Sequence, residues 1–175
     1  DLLPVTADTE GLDTPHISQS YNWMLSSLAL LISNVFLYQT KSSIDSTATE
    51  KLNTILAVAE QLGANTNESN SNRPVFVWIL RDMQLQMRHD PKSEMCNKLE
   101  DVHLRKLRQV FREYDCVPLP RPVDSEASLQ EVDQMEFSEL KTNFVEEFYI
   151  LDRLVFKHAM TPPSIGTNQI NGAVL

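Results

Sequence analysis

The 175-residue sequence predicts an α/β fold in which a mostly parallel sheet carries helices on both faces. Two observations support this. Val75 to Leu80 is apolar without interruption, the composition of a strand buried on both sides rather than one alternating between core and water. Segments of strand composition also alternate along the chain with segments whose apolar residues recur at helical spacing.

In order, residues 3 to 7 are short and apolar enough for a strand, although Pro4 cannot donate to a ladder. Asp8-Thr9-Glu10-Gly11 breaks it. Trp23, Met24, Leu28, Leu31 and Ile32 recur as in a helix, and Val35 to Tyr38 follows with strand composition. Ser46 or Thr47 is placed to cap a second helix running to about Leu62, with Leu52, Ile55, Leu56 and Ala59 on one face and Gly63 as its stop. The Asn- and Ser-rich stretch 64 to 73 is an exposed connector. It leads into the strand Val75 to Leu80, which ends on Arg81-Asp82.

Residues 83 to 96 are rich in Met and charge but show no period. Lys98 to Tyr114 reads as one amphipathic helix with Leu99, Val102, Leu107, Val110 and Phe111 inward. Val117 to Leu119 is a candidate short strand. A proline-spaced loop, Pro118 to Pro122, and a polar, acidic stretch then precede a long helix from about Ser138 to His158 and an extended tail. The chain is read as one domain, without internal repeats.

Composition excludes several function classes. A net charge of −9 argues against a nucleic-acid partner, because displacing counterions from phosphates requires clustered Lys and Arg. The longest apolar runs, Leu28 to Ile32 and Val75 to Leu80, fall far short of the ~18 residues of a membrane span. The start lacks a signal peptide's basic and apolar regions, and two cysteines make no disulfide framework, so a reducing, cytoplasmic setting is expected. His16, His89, His103 and His158 show no metal-ligand spacing. No G-x-S-x-G elbow supports serine catalysis.

Two polar motifs end predicted strands, where open α/β sheets bind ligands. In Asp8-Thr9-Glu10-Gly11, the aspartate is a hard oxygen donor suited to magnesium through water. The glycine allows the backbone to approach a terminal phosphate. In Arg81-Asp82, a fixed carboxylate can accept two hydrogen bonds from guanine, at N1–H and the exocyclic amine, whereas adenine presents a bare acceptor. The guanidinium can stack on the base. Each motif alone also fits a plain surface turn or ion pair.

Together with their surroundings the motifs acquire a family likeness. Asp8 to Leu12, Asn22 to Tyr38 and Phe76 to Asp82 resemble, in order and spacing, the guanylate-binding-protein family of dynamin-superfamily large GTPases. Cys116 to Pro122, Leu129 to Gln134, Phe156 and Ile170 to Leu175 are similar to the end of that family's GTPase domain. The resemblance implies a P-loop-NTPase-like three-layer sandwich, N-terminally truncated. It implies GTP as substrate, with water attacking the γ-phosphate and Mg2+ assisting. By the same likeness Asp8 is the magnesium-linked switch aspartate, acting through water, and Gly11 the γ-phosphate contact. Glu10 is the acidic switch residue that helps organise catalytic water. Arg81 and Asp82 recognise guanine, and Arg121 is a base-side arginine. Pro118 to Leu129 corresponds to the guanine cap through which such domains form homodimers. Peripheral membrane association of an intact parent is compatible with the same likeness.

One position and one short stretch depart from the family pattern. Ile79 stands where many members have threonine, and Asp124 to Ser128 is acidic where some are basic. The phosphate-binding loop G-x-x-x-x-G-K-[ST] is also missing, since none of the glycines, Gly11, Gly63, Gly166 and Gly172, precedes a lysine. The expectation is a piece of a GTPase domain that keeps base specificity but neither binds GTP tightly nor hydrolyses it alone. The alternative is a non-catalytic, degenerate or truncated GTPase module acting in protein–protein interaction.

Overall fold

The computed structural model describes residues 19–63, 73–83, 87, 89–159, 164–165 and 168–169. The strand expected at 3 to 7, the motif at 8 to 11 and most of the 64 to 73 connector lie outside them. The elements run α1 (Gln19–Ile32), β1 (Val35–Lys41), α2 (Ser46–Gly63), β2 (Val75–Arg81), α3 (Pro91–Lys98), α4 (Asp101–Val110) and β3 (Glu113–Leu119). Next come α5 (Glu126–Gln130), 3-10 turns at Val132–Gln134 and Phe137–Glu139, α6 (Thr142–Ala159) and a two-stranded antiparallel pair, β4 (Ser164–Ile165) with β5 (Asn168–Gln169).

β1, β2 and β3 form a parallel sheet in that order, with Tyr38, Trp78 and Cys116 in register across it. The side chains of β2 divide by parity. Phe76, Trp78 and Leu80 point into a core shared with α2, α3 and α4 through Leu52, Leu56, Met95 and Leu107. Val75, Val77 and Ile79 point the other way, against Leu151 and Leu154 of α6. Helices therefore cover both faces, and the continuous apolar run is explained: each parity has its own core. The predicted three-layer α/β sandwich is the observed architecture.

The larger core is aromatic. Tyr38 and Trp78 meet edge to face with ring centroids 5.2 Å apart, and Phe76 and Phe111 lie 5.1 Å apart. Both polar handles are satisfied: the Tyr38 hydroxyl donates to the Ala48 carbonyl at 2.9 Å, and the Trp78 indole donates to Thr40 Oγ1 at 2.8 Å. No described helix is long and apolar enough to cross a membrane.

Several boundaries differ from expectation. The helix read from Lys98 to Tyr114 is the shorter α4, flanked by the last residue of α3 and the start of β3, because Leu99, Glu100 and Phe111 take extended backbone conformations and cap the pieces. Val102, expected inward, is exposed. α3 was hidden because Met95 is its one buried residue; its start is set by Pro91 and by Asp90, whose carboxylate accepts from Ser93 N–H at 3.1 Å. β3 begins at Glu113 rather than Val117, its charged Glu113 and Asp115 obscuring the strand pattern. The cap of α2 is Asp45, which accepts from Ala48 N–H at 2.8 Å, not Ser46 or Thr47. α6 starts at Thr142, the residues before it being held in a 3-10 turn by a Glu136–Glu139 capping box.

Candidate functional site

Parallel strands place all their C-terminal ends on one side, and Lys41, Arg81 and Leu119 form the last register row of this sheet. The chain leaves that row through turns bonded to the neighbouring strand. Ser42 N–H donates to the Arg81 carbonyl at 2.6 Å, and Met83 N–H donates to the Leu119 carbonyl at 3.2 Å. Ser43 N–H turns back to the Lys41 carbonyl at 2.8 Å, closing a γ-turn about Ser42, whose φ is 64°. Asp82 is the other described non-glycine residue with positive φ, at 57°.

Left-handed backbone disfavours most side chains, and Asp tolerates it better than most because its short polar group bonds locally. Here Asp82 is held in it from both sides. The carbonyl before it is taken by Ser42 and the N–H after it is given to Leu119, so the two flanking peptide planes are fixed. Arg81 is exposed and Asp82 half-buried. Among the described residues the Asp82 carboxylate makes no hydrogen bond or ion pair, and its charge acts on Arg121.

Arg121 lies just after β3 between Pro120 and Pro122. Its Nη2 is 2.7 Å from Glu126 Oε2. The bond to Glu126 raises the guanidinium's pKa; desolvation opposes this, while the charges of Glu126, Asp82 and Asp124 add to it. Glu126 is in turn held below its ordinary range, first by the hydrogen bond from Arg121, then by that residue's charge and, more weakly, by Lys41. The Nε of Arg121 is buried without a hydrogen-bond partner among the described residues. The surrounding turn is braced by the residue just before α6: Lys141 Nζ reaches Asp124 at 2.8 Å, and Lys141 N–H donates to the Pro122 carbonyl at 2.9 Å. Ser125 caps α5 by accepting from Ser128 N–H at 2.9 Å, and Val123 is buried beneath.

Three residues expected from the sequence, Arg81, Asp82 and Arg121, thus come to one end of the sheet from two strands. Asp8, Glu10 and Gly11 lie outside the described residues. Three contributors were not foreseen. Lys41 and Ser42 carry no motif, and Glu126 reads as part of a solvated acidic run. Among the described residues no cluster of three or more His, Cys, Asp or Glu side chains could hold a metal. A separate cleft of about 450 Å³ between β3 and α6, bordered by Asp90, Asp115, Glu147, Arg153 and Lys157, includes none of the three expected residues.

Comparison with known proteins adds the family. Residues 3–163 match the model of the guanylate-binding protein N-terminal domain. The chain is 26% identical to guanylate-binding protein 5 of Homo sapiens over 199 residues, covering 98% of this chain and 34% of that protein. It is 26% identical to human guanylate-binding protein 4 over 190 residues, covering 90% of this chain and 29% of that protein. To guanylate-binding protein 1 of Mus musculus it is 23% identical over 197 residues, covering 96% and 33%. The chain spans about a third of the length of the curated relatives it matches. A match across nearly the whole chain, on an α/β sheet whose strand ends gather Arg81, Asp82 and Arg121, shows that the chain belongs to the guanylate-binding protein family, through that family's N-terminal domain.

Proposed function

We propose that the C-terminal end of this sheet is the guanine-reading part of a GTP-binding, GTP-hydrolysing domain, with Asp82 as the residue that selects the base. One observation carries the proposal: a carboxylate at the tip of a buried strand, fixed from both sides in a left-handed conformation. Backbone strain of this kind persists where the surroundings over-determine it, and it clusters at ligand sites. A carboxylate so fixed accepts from N1–H and the 2-amine of guanine, while adenine would set its own N1 lone pair against it. Sites that pair polar groups in this way reject the wrong partner by about 10⁴-fold. Arg81, exposed beside it, stacks on the base face. Arg121, whose guanidinium feels the Asp82 charge, supplies positive charge on the far side.

The hydrolytic half of the proposal rests on Asp8, Glu10 and Gly11. Gly11 offers an N–H to the γ-phosphate, Glu10 orients the attacking water, and Asp8 is an oxygen donor of the kind Mg2+ takes through water. Magnesium, when bound, supplies charge neutralisation for the phosphates. Homodimerisation through the turn 118 to 129 belongs to the same proposal. A second, non-catalytic reading as an interaction module draws on α6, where Tyr149, Ile150 and Phe156 are exposed.

The test is ligand-observed NMR of the 175-residue chain with millimolar guanosine and adenosine monophosphates, beside calorimetry with GTP. Saturation transfer is expected to guanosine monophosphate alone and to vanish in Asp82→Ala, with no micromolar GTP binding by calorimetry. Equal transfer to both nucleotides, or none to either, would refute the base assignment.

A further inference from the structure

We propose that Ser42, on the strand next to Asp82, is a positioning residue that sets the direction of the Asp82 carboxylate and with it the selectivity of the base site. This inference rests on the base-site assignment above and adds a residue that no motif indicated. The two positive-φ residues of the described chain, Ser42 and Asp82, sit one position beyond the register pair Lys41–Arg81 on adjacent parallel strands. They are joined by a short main-chain hydrogen bond, Ser42 N–H to the Arg81 carbonyl at 2.6 Å.

That carbonyl belongs to the peptide unit whose nitrogen is Asp82's own. Because the unit is planar, holding its oxygen fixes the orientation of the Asp82 N–H and of the N–Cα bond about which φ turns. Met83 N–H on the Leu119 carbonyl fixes the next unit. With both planes set, the direction of the Asp82 Cα–Cβ bond is determined, leaving only side-chain rotation free.

Ser42 delivers its N–H at that point because the γ-turn bends the chain sharply there. The Ser43 N–H to Lys41 carbonyl bond closes the turn, and buried Ile44 anchors its far side in the aromatic core. Side chains that resist positive φ would open the turn and release the Arg81 carbonyl; β-branched ones resist it most. The effect reaches the base only through Asp82, so it should act on the contact Asp82 makes with the 2-amine.

The experiment compares guanosine with inosine monophosphate, which lacks the 2-amine, on the 175-residue chain by ligand-observed NMR titration, with thermal midpoints recorded alongside. Ser42→Val is expected to lower the guanosine-to-inosine affinity ratio severalfold, and Ser42→Gly, which takes positive φ freely, to keep the ratio within about twofold. Ser42→Ala should fall between them and carries the comparison if Ser42→Val does not fold. A ratio unchanged in Ser42→Val, or in Ser42→Ala if that variant stands in for it, while Asp82→Ala abolishes the preference overturns the role of Ser42 and leaves the base site standing. If Asp82→Ala also leaves guanosine monophosphate binding intact, the base site itself is wrong.

Discussion

Ser42 and Asp82 share the left-handed backbone region, at φ 64° and 57°, one residue past the register pair of adjacent parallel strands. A non-glycine residue costs about 1–2 kcal/mol there, and glycine costs about 0.5–1 kcal/mol more chain entropy on folding. Ser42→Gly is therefore expected to stabilise the fold by roughly 0.5–1 kcal/mol. Urea denaturation measures this, and a loss of stability would show that Ser42 is not strained.

At Asp82 the informative change is to asparagine, which tolerates the same backbone conformation and so should leave the melting temperature nearly unchanged. The amide replaces one acceptor by a donor. Xanthine, with a carbonyl where guanine has its amine, then matches it better. Competition NMR with guanosine and xanthosine monophosphates should show the preference inverted, and an unchanged preference would count against carboxylate reading of the base.

The aromatic core makes a separate prediction. Trp78 is fully buried and bonded through its indole to Thr40, so Trp78→Ala should cost about 3–5 kcal/mol. Thr40→Val removes only the acceptor and should cost about 1–3 kcal/mol, the penalty of stranding a donor in the interior. If Thr40→Val proves neutral in chemical denaturation, water reaches the indole.

His158 is buried, and its Nε2 has no hydrogen-bond partner among the described residues. Desolvation holds its pKa below the ordinary 6.5, outweighing the Glu113 carboxylate 3.8 Å away, which is more than half exposed and so screened by solvent. Lys157 and Arg112 also lower it, and Asp115 opposes them. As pH falls through 6.5 the unfolded chain takes up this proton before the folded one does, so stability declines below that pH until the folded form titrates too. His158→Phe should flatten the denaturation midpoint against pH in that acid window. A variant and parent with parallel pH profiles would remove His158 from the cause.

Much of the architecture was legible because it is written in local apolar patterns. Val75 to Leu80 shows its burial directly, and the Arg81-Asp82 tip followed from where that run ends. Where cues for capping compete with a continuing amphipathic pattern, as from Leu99 to Phe111, spacing alone carried one helix past both ends of α4, which Glu100 and Phe111 cap. The site was half legible for a different reason. Asp82 and Arg121 belong to recognisable text, but Ser42 acts through its main-chain N–H, and a backbone donor leaves no trace in the identity of its side chain. Glu126 gains its partner only when the turn after β3 brings it back to Arg121.

The strict parity of β2 has a final consequence. With Phe76, Trp78 and Leu80 committed to one layer and Val75, Val77 and Ile79 to the other, inserting or deleting one residue within this strand would exchange the two sets and turn the terminal carboxylate through half a revolution. Composition along this segment can drift while its length cannot, so natural variants should show replacements here and gaps only in the connecting turns.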